Sequence, residues 1–344
     1  MTISNKIANY TIILTGIVAL LIYAKDILLP FVMAIFVWLI IRSVRNYLLK
    51  IKLIDKYIPT WALNIIATLI IFGIVFAFGA LLVENLEELT EVVPKYQENL
   101  NNIIAQFNQA LGIDLSQEVK NFVSNIDVSS FLQVALSSFS GFLSTFLLVL
   151  IYVLFLLLEE KTLGEKIKML FKNDNENTKA KKVMQKLSDS IESYLFIKSV
   201  IAILSSALSY IALVSFGIDF ALFWAFLIFV TSYIPNIGAY IGGAFPALFA
   251  LFQTNSLEVF LAIAVIFAVI QFVTGNILEP KWMGKSMNLS ALVVILALAA
   301  WGVIWGIVGM ILSVPLTMII NIILSQFPST QKVSIMLSEK GEVK

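Results

Sequence analysis

The stretch SYIPNIGAYIGGAFPALFAL, residues 232–251, holds two prolines, three glycines and an asparagine inside a tract with no charge between Asp219 and Glu258. In hydrocarbon every backbone N–H and C=O needs a partner, so a helix broken at membrane depth is tolerated only inside protein or beside a water-filled cavity. Pro235 removes a donor and disfavours helix at Ile234, and Gly238 permits positive φ, so the helix is expected to break at IPNIG. The chemistry available there is hydrogen bonding, from freed carbonyls and amides, the Asn236 carboxamide and the hydroxyls of Thr231 and Ser232. A second uncharged tract, LSALVVILALAAWGVIWGIVGMILSVPLTMIINIIL, follows the same plan: an apolar run, Gly302, Gly306 and Gly309, then Pro315 in the place held by Pro246 in the first. Taken singly, each glycine also reads as a close helix-packing face. Matched prolines in tracts of matched length point instead to paired broken hairpins, the sequence mark of a transporter binding site. Gln271, Thr274 and Asn276, in the span between the tracts, add polar groups.

Ionisable groups at membrane depth are costly and usually functional, and the later spans hold few. Lys198 lies about one turn inside its span; it either snorkels to the cytoplasmic interface or presents a cation to a cavity. Glu279, beside Pro280 and Lys281, reads as an interfacial salt bridge or as a proton or cation site. Glu192 lies six residues from Lys198, on a different side of a helix, and is not its automatic partner. A monovalent-cation antiporter calls for a carboxylate near the midplane, where the spans hold none, although carbonyls freed at Pro235 and near Gly306 can serve sodium. A small polar solute needs only the polar groups already named and is the preferred cargo. The chain has no Cys and no His, which removes thiol and imidazole chemistry, disulfides and the common transition-metal sites. No catalytic residue, metal site or cofactor is expected, and a membrane protease would need an intramembrane Asp pair, a Ser–His pair or a metal motif that the chain lacks. A net charge of +1 gives no indication of nucleic acid.

These residues must be held by helices in a bilayer. With 60% hydrophobic and 13% charged residues and a mean hydropathy of +0.95, the chain reads as an all-α polytopic membrane protein. A span needs about 20 apolar residues. Full spans are expected at 7–24, 61–83, 139–158, 191–216 and 257–275, with a short one at 27–41, opened by Pro30 and ended by Arg42 and Arg45 as snorkelling cations. That makes about six spans, to which the tracts 219–252 and 289–325 add two broken hairpins. Residues 7–24 have an alternative as a signal peptide, weakened by a single preceding Lys6 and a poor cleavage site. The loop after the second span carries Arg42, Arg45, Lys50, Lys52 and Lys56 and is placed in the cytoplasm; the acidic loop 84–138 lies outside and the lysine-rich loop 159–190 inside. Both termini are then cytoplasmic. The spans before the two tracts run in opposite directions, so the units are expected to be inverted repeats whose tips approach one another near the midplane.

The domain plan follows from these assignments. Residues 1–83 form N-terminal spans with an oligomerisation role, 84–138 extracytoplasmic amphipathic helices, 139–158 the fourth span, 159–190 a basic cytoplasmic helical loop, 191–325 the transport core and 326–344 a cytoplasmic tail. In the outer loop Leu86, Leu89, Val93, Tyr96, Leu100, Ile103 and Phe107 recur at helical spacing. This stripe packs on its own membrane domain or on another subunit, ahead of a third reading as a surface for substrate capture. Together with the short second span it leads to the expectation of a homo-oligomer in the lipid bilayer. In the inner loop, FKNDNENTKAKK reads as a solvated turn.

The same residues resemble a known family. IPNIG followed by GAFP is similar to the Ile-Pro-x-x-Gly…Gly-x-x-Pro signature of the autoinducer-2 exporter family, a widespread group of bacterial membrane proteins. Gln271 and Asn276 followed by Pro280 and Gly284, and the series Gly302, Gly306, Gly309 and Pro315, continue the match from about 190 to 325. The chain departs from the pattern at Ala239, where a second proline is usual, at Lys198, where Gln is common, and at Ala291, where Pro is usual. The resemblance implies a bacterial inner-membrane transporter exporting a small polar solute such as autoinducer-2; some members exchange sodium or lithium for protons. The substrate or gating residues expected on all these grounds are Ser232, Pro235, Asn236, Gly238, Gln271, Asn276, Gly306, Gly309 and Pro315, with Lys198 and Glu279 for ion or charge coupling. A scaffold or regulatory protein that carries no solute is the remaining alternative.

Overall fold

The computed structural model describes residues 3–50, 56–77, 79–80, 99, 145–160, 162, 165–166, 169–170, 174–235, 237–283 and 288–341. All regular structure among them is helical. The amphipathic stripe from Leu86 to Phe107 lies outside the described residues. The chain divides into two compact units, one formed by 1–68, 144–196 and 283–344, the other by 69–143 and 197–282.

In the first unit α1 (Ile3–Tyr23) turns directly into α2 (Lys25–Leu48). The uncharged stretch 27–41 thus sits in a helix of 24 residues that does not stop at Arg42 and Arg45 but runs on past both. The reason is charge pairing. Arg45, 7% exposed, donates to both carboxylate oxygens of Glu160 at 2.9 and 2.7 Å and to Asn64 Oδ1 at 3.0 Å, while Arg42 sits 3.4 Å from Glu192 and stacks over Trp38. A guanidinium with a bidentate carboxylate partner stays in the helix without reaching for water. These contacts join α2 to α3 (Thr60–Ala77), α4 (145–160) and α5 (Asp174–Ser215). At 42 residues α5 is about 63 Å long at 1.5 Å per residue, twice the hydrocarbon thickness. The solvated turn expected within 171–182 is thus already helix from Asp174 onward.

The second unit takes the latter half of α5, then α6 (Ala221–Thr231), which stops before α7 (Gly238–Thr254) begins, and α8 (Leu257–Gln271). The first long tract is a helical hairpin. Gln253 clasps its base, accepting from the Asp219 backbone N–H at 2.8 Å and donating to the Gly217 carbonyl at 2.9 Å. Leu213, Ile218, Ile228, Ala250 and Ile263 form its buried core. Beyond α8 the helix widens into a π segment, Phe272–Leu278, in which the Glu279 N–H bonds the Thr274 carbonyl, before α9 (Glu279–Met283). Pro280, without an N–H, leaves the carbonyls behind it short of a donor, and the wider turn accommodates that loss.

The second long tract is α10 (Ala291–Ser325), interrupted at Gly306, whose φ of 64° and ψ of −144° lie outside any helix. Trp301 Nε1 reaches Thr317 Oγ1 at 3.3 Å, 16 residues on. A straight helix would hold those residues about 24 Å apart. The chain therefore folds back on itself at Gly306. α11 (Gln331–Leu337) clasps the base of this second hairpin, with Ser334 Oγ 2.7 Å from Asn321 Oδ1 and the Leu337 carbonyl accepting from the Ser290 N–H at 3.0 Å.

Candidate functional site

The tip of the first hairpin is closed by close approach of two glycines to Thr231. A methyl group at Gly238 would overlap the Thr231 carbonyl oxygen, and one at Gly242 the Thr231 hydroxyl. Gly238 does not adopt positive φ. The break arises instead in the residues before it, around buried Pro235. In the second hairpin Gly309 lies against the Trp301 carbonyl in the same way, and the positive φ falls at Gly306. Pro315 is buried in the second arm of that hairpin.

The hydroxyls expected to face a solute are mostly satisfied within their own helices. Ser232 Oγ donates to the Ile228 carbonyl at 2.6 Å, Thr231 Oγ1 to Leu227 at 2.8 Å and Thr274 Oγ1 to Ile270 at 2.7 Å. Back-bonding of this kind bends helices and leaves the oxygen lone pairs for others. The Gln271 side chain lies over Gly275, with Nε2 2.6 Å from where a Cβ would stand. Asn276, exposed, has Nδ2 3.4 Å from the Tyr240 hydroxyl, so the π segment meets the second arm of the hairpin. Asn236 lies outside the described residues.

The two charges singled out separately meet each other. Lys198 Nζ donates to Glu279 Oε1 at 2.6 Å, with the lysine side chain 4% exposed and the carboxylate 23%. Lys198 therefore ends on a carboxylate 81 positions away and does not run out along α5 to solvent. Glu192 turns the other way, to Arg42. Beside Lys198, Ser199 Oγ lies 2.7 Å from the hydroxyl of Tyr233 in the broken tip. One turn of α5 thus holds both the tip of the first hairpin and the carboxylate that follows the π segment.

Sequence reasoning missed Ser199, Tyr233 and Tyr240, whose partners lie 34 and 36 residues away. It missed the π segment too, although Gly275 and Pro280 five residues apart were a readable sign. In the first unit it missed Trp305, whose indole N–H donates to the Leu21 carbonyl at 3.0 Å. That carbonyl belongs to the last turn of α1, where helical acceptors lack partners, and it anchors the second hairpin next to its reversal at Gly306.

The profile of the AI-2E family transporter matches residues 11–329. The chain belongs to the AI-2E transporter family. It is 32% identical to the AI-2 transport protein TqsA of Escherichia coli over 92% of its length and 91% of the relative's. A protein of Haemophilus influenzae whose name places it among transport proteins is 31% identical over 98% of this chain and 96% of its own. YhhT of Escherichia coli, similarly named, is 27% identical over 98% and 94%. The protein is accordingly a multi-pass membrane transporter and not an enzyme, with five helices long and apolar enough to cross a membrane among the described residues.

Proposed function

We propose that this transporter exports a small polar solute, with autoinducer-2 as the first candidate, across the bacterial cytoplasmic membrane. The observation that carries the reading is the broken tip of the first hairpin, tied by Tyr233 to Ser199 beside the Lys198–Glu279 pair, in a chain 32% identical to an AI-2 transport protein. Pro235, Asn236 and Gly238 in the first hairpin and Gln271 and Asn276 in the span behind it are substrate or gating positions, and Gly306, Gly309 and Pro315 have the same role in the second hairpin. Hinges of this kind absorb their dihedral changes at a few positions. The distribution of Lys and Arg among the loops supports a topology with both termini in the cytoplasm.

Sodium(lithium)/proton antiport is the second reading, and Glu279 is the carboxylate that favours it. Against it, Glu279 is already occupied by the Lys198 ammonium. A bacterial host deleted for its own autoinducer-2 exporters tests the first reading. Expression of this chain should lower the intracellular signal and raise it in the medium; an unchanged partition at normal expression contradicts it.

A further inference from the structure

We infer that the Lys198–Glu279 pair is a solute-displaced latch that recognises a neutral, hydroxyl-bearing molecule. The inference rests on the reading of the protein as a carrier of small polar solutes. It gives the two charges a role in recognition, not in ion coupling.

The ammonium carries three protons, and among the described residues Glu279 Oε1 is its sole hydrogen-bond partner, although Lys198 is 3% exposed overall. A buried ammonium with donors to spare is costly, and a ligand oxygen placed on them relieves that cost. On the carboxylate side, Oε1 faces the ammonium and Oε2 has acceptor capacity left. Such a pair offers donors at one end and acceptors at the other. A hydroxyl group is both donor and acceptor, so a molecule with neighbouring hydroxyls can insert between the charges and bond each.

Charge balance selects among solutes. The pair is neutral as a unit, so a neutral solute leaves the site neutral. An anion or a free cation would leave one net charge in a region of low dielectric, where uncompensated charge is most expensive. Ser199, the residue after Lys198 on α5, forms a hydroxyl pair with Tyr233, 2.7 Å apart. The required motion is also available. Glu279 directly follows the π segment, whose register is one residue wider than α, and loss or migration of that extra residue turns the following side chains by about 100° about the axis. Glu279 would then part from Lys198, and Asn276 from Tyr240.

The test is counterflow in liposomes holding the purified full chain, with equal sodium and pH on both sides, using D-ribose and autoinducer-2 as neutral polyhydroxy probes and lactate as an anion. The variants are Lys198→Met/Glu279→Leu, which removes both charges and leaves none unpaired, and the exchange Lys198→Glu/Glu279→Lys. In the wild type at least one neutral probe should exchange and lactate should not. The apolar double variant should melt as the wild type does and exchange about tenfold less or worse, the size of one or two lost hydrogen bonds at depth. The exchanged pair should recover much of the flux. Wild-type flux in the apolar double variant overturns the latch alone. Failure of both neutral probes in the wild type overturns it together with the carrier reading, and exchange of lactate in preference to them overturns the choice of neutral solute.

Discussion

Tyr233, in the broken tip of the first hairpin, and Ser199, next to Lys198 on α5, lie 2.7 Å apart through their hydroxyls. The tip is therefore fixed at a side-chain contact and not only by its own turn. Replacing Tyr233 by Phe removes that contact and little else. A hydrogen bond at membrane depth is worth about 0.6 to 2 kcal/mol, so Tyr233→Phe should change solute flux by roughly threefold to thirtyfold while the melting temperature in detergent stays near wild type. Equal flux in the two proteins would show that the contact does not govern the tip.

Three glycines separate close packing from backbone conformation. Gly238→Ala forces a methyl into the Thr231 carbonyl, whereas Gly73→Ala meets nothing within 4 Å. The first should lower stability by about 1–3 kcal/mol, as overpacking does, and the second should be neutral or better within its helix. Gly306→Ala has open space around it, but φ is +64°. It should cost about 1–3 kcal/mol through strain alone. Thermal melts of the three proteins in one detergent give the comparison.

The breaks were the most legible part of the fold because they follow from local covalent facts. Pro235 lacks an N–H wherever it sits, and one helix stops at Thr231 and the next starts at Gly238, on either side of it as expected. In the second hairpin three glycines were equivalent in sequence; in the structure Gly302 and Gly309 are packed against Met310 and the Trp301 carbonyl, and Gly306 takes the reversal. What could not be read are pairings across long stretches of chain. Arg45 looked like the end of a span because Glu160 is 115 positions away, and Lys198 looked like a snorkelling cation because Glu279 is 81 away. Residues 174–182 looked like a turn because they are polar, yet a helix leaving the bilayer can be polar all round.

Arg45 offers a test of the charge cluster in the first unit. Arg45→Met leaves Glu160 without its bidentate partner and should cost about 3 kcal/mol, the lower end for a buried pair, since Glu160 is partly exposed. The double variant Arg45→Met/Glu160→Leu removes the stranded charge and should recover most of the loss. If the double variant is as unstable as the single, the cluster acts through packing and not through charge.

The stripe of the outer loop, Leu86 to Phe107, supports a homo-oligomer. Its companion argument is the uncharged stretch 27–41, which is short for a lipid-exposed span although the helix around it has 24 residues. Native mass spectrometry from mild detergent should give a closed oligomer, and Leu89→Asp with Tyr96→Asp should shift it toward monomer. Monomers from the unaltered protein would leave the stripe to its own membrane domain.

Direct flux bears most closely on the central claim. Purified protein in liposomes loaded with autoinducer-2, with no sodium, lithium or proton gradient imposed, should release the signal down its own gradient at a saturable rate that empty liposomes lack. No release under any gradient, or proton movement driven by sodium or lithium with no solute present, would contradict the account.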